Sequence, residues 1–126
     1  MGNKVLILDD SRTIRSSVKY TLEKEDYEVL VAKDGQEGLE VLEDNKSRSN
    51  RPDMIITDIN MPRMDGIEFI EEIKSESKFK FIPILVLTTE SQAKMKKKGQ
   101  QAGAAGWLVK PFEPEQLVQV AQKFIK

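Results

Sequence analysis

An apolar run of strand length, Met54-Ile55-Ile56, stops on the carboxylate of Asp58 and turns at once through Pro62 and the Asp65-Gly66 pair. A run that does not alternate with polar residues suits a strand covered on both faces, the habit of parallel sheets. The design recurs at residues 5–8, 27–32, 82–87 and 106–109, which gives five strands in all. Between them the apolar positions fall at helical spacing: Ile14, Val18 and Leu22, then Leu39 and Leu42 with Val41 beside them, then Ile67, Ile70 and Ile73 with Phe69. A lysine-rich helix is expected over 91–102, with Gly99 inside it costing about 1 kcal/mol relative to alanine. A last helix opens at Pro114 and buries Leu117, Val118, Ala121, Phe124 and Ile125. Asp34 is placed to cap the second helix. The polar stretch 45–52 reads as a long surface loop whose basic residues are solvated. Parallel neighbours need right-handed crossovers, so alternation of five strands with five helices predicts a doubly wound α/β sheet in one domain spanning 1–126.

What the strands end on narrows the function. The first ends on Asp9-Asp10, the third on Asp58, the fourth on Thr88 and the fifth on Lys110. Ligands of open α/β sheets bind beyond the carboxyl ends of the strands. One acid after a strand is most simply a helix cap, and one lysine before proline is most simply solvated. Three carboxylates, a hydroxyl and an ammonium delivered to one edge are hard to explain that way. Like charges at close range raise one another's pKa, so the trio calls for a cation.

Composition limits which cation and which chemistry. The chain has no histidine and no cysteine. Imidazole and thiolate metal sites, Ser-His-Asp catalysis and disulfides are therefore excluded. Oxygen-ligated ions remain, and without EF-hand spacing Mg²⁺ fits best, with Mn²⁺ as the alternative. Such a site keeps open positions for a phosphoryl group, which Lys110 and Thr88 could contact while Asp58 acts as nucleophile. A net charge of -1 gives no general attraction to nucleic acid or to an anionic membrane. The start of the chain lacks the length and flanks of a signal peptide or membrane span, so a cytoplasmic protein is expected.

Four ordered motifs, LDDS at 8–11, TDINMPRMDG at 57–66, LTTE at 87–90 and VKPF at 109–112, resemble the receiver domain of two-component response regulators. The likeness covers essentially the whole chain, and within the family it is nearest to stand-alone, CheY-like chemotaxis receivers. That resemblance implies a flavodoxin-like strand order of 2-1-3-4-5. It implies that Asp58 is the phosphoacceptor, supplied by a CheA-like histidine kinase. Asp10, Asp58 and the Asn60 backbone carbonyl would hold Mg²⁺, with Asp9 assisting directly or through water. Thr88 and Lys110 would grip phosphoryl oxygens, the Lys110-Pro111 bond would be cis, and Trp107 would be the aromatic that turns with the switch. Relatives often carry tyrosine there, and the plain alternative is a tryptophan that only packs. Asn60 and Glu90 would tune the lifetime of the phosphoryl group.

The resemblance further implies an output face formed by the fourth helix, fifth strand and fifth helix. It carries Lys94, Lys96, Lys97, Lys98 and Trp107, and could receive an acidic partner segment. The expected partners are the kinase, a flagellar motor switch protein or another output protein, and a phosphatase, the chain itself being a monomer without an effector domain. Such a protein is not an enzyme in the ordinary sense, since it catalyses only its own phosphorylation and dephosphorylation. The competing readings are a phosphorelay shuttle or non-chemotaxis single-domain receiver, an unphosphorylated pseudo-receiver, and a haloacid-dehalogenase-like phosphatase. The last is disfavoured because its DxDx[TV] signature is absent. A dinucleotide-binding domain would need a GxGxxG after the first strand, which the sequence lacks.

Overall fold

The computed structural model describes residues 3–125; Met1 and Gly2, part of the stretch read against a leader, and Lys126 lie outside the described residues. Strands β1 (Lys4–Leu8), β2 (Glu28–Ala32), β3 (Met54–Thr57), β4 (Ile84–Thr88) and β5 (Gly106–Val109) alternate with helices α1 (Arg12–Glu23), α2 (Gly35–Asp44), α3 (Gly66–Ser75), α4 (Ala93–Ala102) and α5 (Pro114–Phe124). All neighbouring strands are parallel, in the order β2-β1-β3-β4-β5. Fold class and strand order are those expected from the sequence.

Because successive strand residues face opposite sides, each continuous apolar run feeds two cores at once. Val5, Ile7, Met54, Ile56, Leu85 and Leu87 pack with Val18 and Leu22 of α1 and Leu117 and Ala121 of α5. Leu6, Leu8, Ile55, Ile84 and Val86 pack on the other side with Leu42 of α2 and Phe69, Ile70 and Ile73 of α3.

Several boundaries and faces differ from the sequence reading. β4 begins at Ile84 rather than Ile82, because Pro83 has no N–H to give a ladder and serves only through its carbonyl, which accepts from Ile55. Phe69 is fully buried while Ile67 is only partly so, which turns α3 further onto the sheet. In α5 Val120, not Val118, packs against the core; Val118 lines a groove of about 480 Å³ between α1 and α5. The 45–52 loop is tied down, contrary to the expectation of merely solvated basic residues. Arg51 donates twice to the Lys46 carbonyl, at 3.1 and 3.0 Å, and once to the Lys78 carbonyl at 2.8 Å.

Candidate functional site

The carboxyl edge of the sheet carries the polar groups that end the strands. Asp9 follows β1 and is buried. Its Oδ1 accepts from the Ser11 N–H at 2.9 Å and its Oδ2 from Lys110 Nζ at 2.6 Å. Ser11 in turn caps α1, accepting from the Ile14 N–H, so one turn both starts the helix and fixes the acid. Asp58 follows β3 with its Oδ1 accepting from the Ile59 N–H at 2.6 Å and its Oδ2 from Lys110 Nζ at 3.1 Å. Asp10 projects into solvent beside them. One carboxylate oxygen from each of Asp9, Asp10 and Asp58 lies within 4.8 Å of the others.

Burial pushes the Asp9 carboxyl above the usual carboxylate range, against the pull of Lys110 and the Ser11 N–H. Burial alone would lower Lys110, but its bonds to Asp9 and Asp58 outweigh this and hold it above the ordinary lysine value. The ammonium is thus a resident cation shared by two carboxylates, which the sequence reading reserved for a phosphoryl group. Asp10 makes the third charge, and this all-oxygen donor set in a chain without histidine or cysteine fits a hard divalent ion. Asp9 and Asp58 are alike in having donors on both oxygens, and Asp10 is the exposed member of the trio. The Lys110-Pro111 peptide is cis, as expected.

The remaining site residues form a second, linked group. Thr88, fully buried at the end of β4, accepts from the Glu90 N–H at 3.2 Å through its Oγ1. The Glu90 carbonyl accepts from Trp107 Nε1 at 3.1 Å. A continuous path therefore runs from the β4 end to the aromatic on β5, through the backbone of Glu90. Gly99 is what lets the indole lie under α4: a Cβ there would stand 2.6 Å from the Trp107 ring, so the glycine counted as a helix weakness is a packing requirement. Lys94, Lys96, Lys97 and Lys98 are all exposed on α4, and Lys96 lines a cleft of about 120 Å³ beside Trp107 and Gln100. Asn60 is exposed in the β3–α3 loop, just beyond Ile59, whose carbonyl accepts from the Gly66 N–H. A pairing that the sequence alone does not announce lies next to that loop. Arg63 pairs with the buried Asp34, which does cap α2 as expected.

A doubly wound parallel sheet with clustered acids, a buried threonine and a lysine at its carboxyl edge defines a receiver-type α/β domain. The chain belongs to the response regulator receiver domain family, whose profile matches residues 5–122. It is 40% identical over 115 residues to the chemotaxis protein CheY1 of Helicobacter pylori, covering 90% of each chain. It is 35% identical over 117 residues to the alkaline phosphatase synthesis transcriptional regulatory protein PhoP of Bacillus subtilis, spanning 93% of this chain but only 46% of that longer protein. The structure of the chemotaxis response regulator CheY4 of Vibrio cholerae superposes with a TM-score of 0.89 at 46% identity, over 99% of this chain and 100% of that one. Receiver domains are two-component signalling modules that take phosphate from histidine kinases and bind Mg²⁺ at an acidic pocket. Among the described residues no helix is long and apolar enough to cross a membrane.

Proposed function

We propose that Asp58 is the phosphoacceptor of this receiver and that the chain signals by changing a binding face when Asp58 is modified. The observation that carries the reading is the position of Lys110 Nζ, 2.6 Å from Asp9 Oδ2 and 3.1 Å from Asp58 Oδ2, with Asp10 alongside. In the proposed reaction an Asp58 carboxylate oxygen attacks the phosphorus of a phosphohistidine. The P–N bond breaks, its electron pair stays on the imidazole nitrogen, and an acyl phosphate remains on Asp58. Attack by water on phosphorus later releases inorganic phosphate and restores the carboxylate. Asp10, Asp58 and the Asn60 carbonyl are the groups proposed to hold Mg²⁺, with Asp9 behind them. When bound, that ion supplies positive charge to offset the acids and the incoming phosphoryl oxygens.

Lys110 transfers its bonds from the two carboxylates to a phosphoryl oxygen, and Thr88 turns its hydroxyl onto another. Since Thr88 already holds the Glu90 N–H and Glu90 holds the indole, movement of Thr88 disturbs Trp107 directly. Trp107 and the α4 lysines then form the output face, suited to an acidic segment. Asn60 and Glu90, at the rim, control access of water. Likeness to CheY1 and CheY4 over nearly their whole lengths supports a chemotaxis response regulator that receives its phosphoryl group from a CheA-like kinase and acts on a flagellar motor switch protein. Likeness to PhoP supports a second reading, a receiver with another output.

Phosphoramidate, a small P–N donor, tests the reading with Mg²⁺ present and Trp107, the single tryptophan, as reporter. Donor should change the emission of the wild type and leave Asp58→Asn unchanged. An equal response in both proteins would contradict the assignment of Asp58.

A further inference from the structure

Arg63 and Asp34 are 29 residues apart in sequence and meet as a two-pronged pair, Nε to Oδ2 at 2.9 Å and the second guanidinium nitrogen to Oδ1 at 3.1 Å. The Asp34 side chain is 2% exposed. The same carboxylate caps α2 by accepting from the Glu37 N–H at 2.8 Å, so one group serves both a helix and a distant loop. A second tie runs alongside, from the Gly35 N–H to the Met64 carbonyl at 3.2 Å. The backbones approach so closely that a Cβ on residue 35 would lie 2.7 Å from Met64 Cγ. Arg63 itself sits at φ 65°, in the left-handed region that a non-glycine residue enters at a cost of roughly 1 kcal/mol. A strained residue held by a two-pronged ion pair and flanked by a backbone tie is over-determined, and such positions gather where geometry matters to function.

What they fix is the β3–α3 loop. Its start is set by Asp58, through the Ile59 N–H, and by the Gly66 N–H on the Ile59 carbonyl. Its end is set by the capping box of Asp65 and Glu68 on α3. Residues 60–62 hang between these anchors and the Arg63 pair, and Asn60 is among them.

We propose that Arg63 and Asp34 are positioning residues for the cation site: their ion pair holds the β3–α3 loop so that the Asn60 carbonyl stands ready for Mg²⁺. The inference rests on the proposed role of that carbonyl as a ligand. A loop ordered in advance leaves less conformational entropy to be lost on binding. Outer partners that orient ligands typically change metal affinity by about 10- to 100-fold.

The test is calorimetric titration of Mg²⁺ alone into the unphosphorylated wild type and into Arg63→Ala, Arg63→Lys, Asp34→Asn and the double variant Asp34→Asn/Arg63→Ala. Asp10→Asn serves as the control for the site itself. Unfolding curves without Mg²⁺ establish that each variant is folded under the titration conditions. Asparagine keeps the helix-capping acceptor, so Asp34→Asn carries the comparison if Arg63→Ala does not fold. Simple charge effects move the two single variants in opposite directions, because losing a cation near the site favours Mg²⁺ and losing an anion disfavours it. Positioning moves them the same way. Each should bind Mg²⁺ about tenfold more weakly than the wild type, with the double variant no weaker than either and Arg63→Lys in between.

Wild-type affinity in Arg63→Ala, with binding lost in Asp10→Asn, would overturn the positioning role and leave the metal site standing. Opposite shifts in the two single variants would overturn it as well. No Mg²⁺ binding by the wild type would overturn both readings together.

Discussion

Two lysines, at opposite edges of the same sheet, show how differently one side chain can be used. Lys110 at the carboxyl edge bonds two carboxylates, Asp9 and Asp58, and is held above its ordinary pKa by them. Lys74 at the amino edge bonds two backbone carbonyls, of Lys80 and Ile82, at 2.8 and 3.0 Å, and burial lowers its pKa. The first compensates charge that an incoming ion could compensate instead, so its bonds are exchangeable. The second closes a loop whose carbonyls have no other use, so its bonds are static. Arg51 extends the second pattern by joining the α2–β3 and α3–β4 loops through carbonyls, and Lys4 adds a bond to the Asn50 carbonyl at 2.9 Å. The amino edge is therefore stapled largely by cations on carbonyls, with Lys4 also 3.8 Å from Glu28, while at the carboxyl edge, beside the fixed Arg63–Asp34 pair, Lys110 holds charges that a ligand can rearrange.

The contrast breaks most visibly at Lys110. In Lys110→Ala two buried acids lose their shared donor, and stability without Mg²⁺ should fall by about 2 kcal/mol. Added Mg²⁺ should recover more stability in this variant than in the wild type. Phosphorylation should persist, while the Trp107 response to it is lost. Denaturant titrations with and without Mg²⁺, read beside the fluorescence, check this; a Mg²⁺-independent loss would make Lys110 a structural staple like Lys74.

Lys74→Met sharpens the other side. Two carbonyls lose a donor, for a loss of about 1–2 kcal/mol that Mg²⁺ does not alter and that leaves labelling of Asp58 intact. Arg51→Ala should cost about 1 kcal/mol, since its partners are more exposed, again with Mg²⁺ binding unchanged by calorimetry. Altered Mg²⁺ affinity in either variant would mean that the two edges are not independent.

The smallest effect is in titration. A lysine whose folded pKa is raised contributes stability that is present below its ordinary range and lost as pH climbs through the raised value. A lysine whose folded pKa is lowered does the reverse, and folding gains as pH rises through the window below the ordinary lysine range. Side-chain NMR should therefore find Lys74 losing its proton before Lys110. The opposite order would undo the distinction between the edges.

The fold was readable because the central strands β1, β3 and β4 are covered on both faces and so read as continuous apolar runs, too short for helices and bounded by turn residues. The meeting of Asp9, Asp10, Asp58 and Lys110 was readable because parallel topology brings every strand's carboxyl end to one edge. The pairing of Arg63 with Asp34 was not, although Asp34 was legible as a helix cap, since nothing local marks an arginine that takes a positive φ to meet a partner 29 residues away. Arg51 was hidden for a related reason: its acceptors are carbonyls, and carbonyls leave no trace in residue identity. Val118 was taken for a core residue because it lies near the apolar stripe of α5; Val120 packs on the core, while Val118 faces the groove toward α1. Gly99 looked like a helix defect because the ring it accommodates belongs to another element.

The most direct measurement is the intact mass of the protein after incubation with acetyl phosphate and Mg²⁺, beside Asp58→Asn and a chelated sample. A single labile phosphoryl adduct on the wild type, missing from both controls, is the predicted result. An adduct of equal yield in Asp58→Asn, or none on a wild type that demonstrably binds Mg²⁺, would contradict Asp58 as the phosphoacceptor.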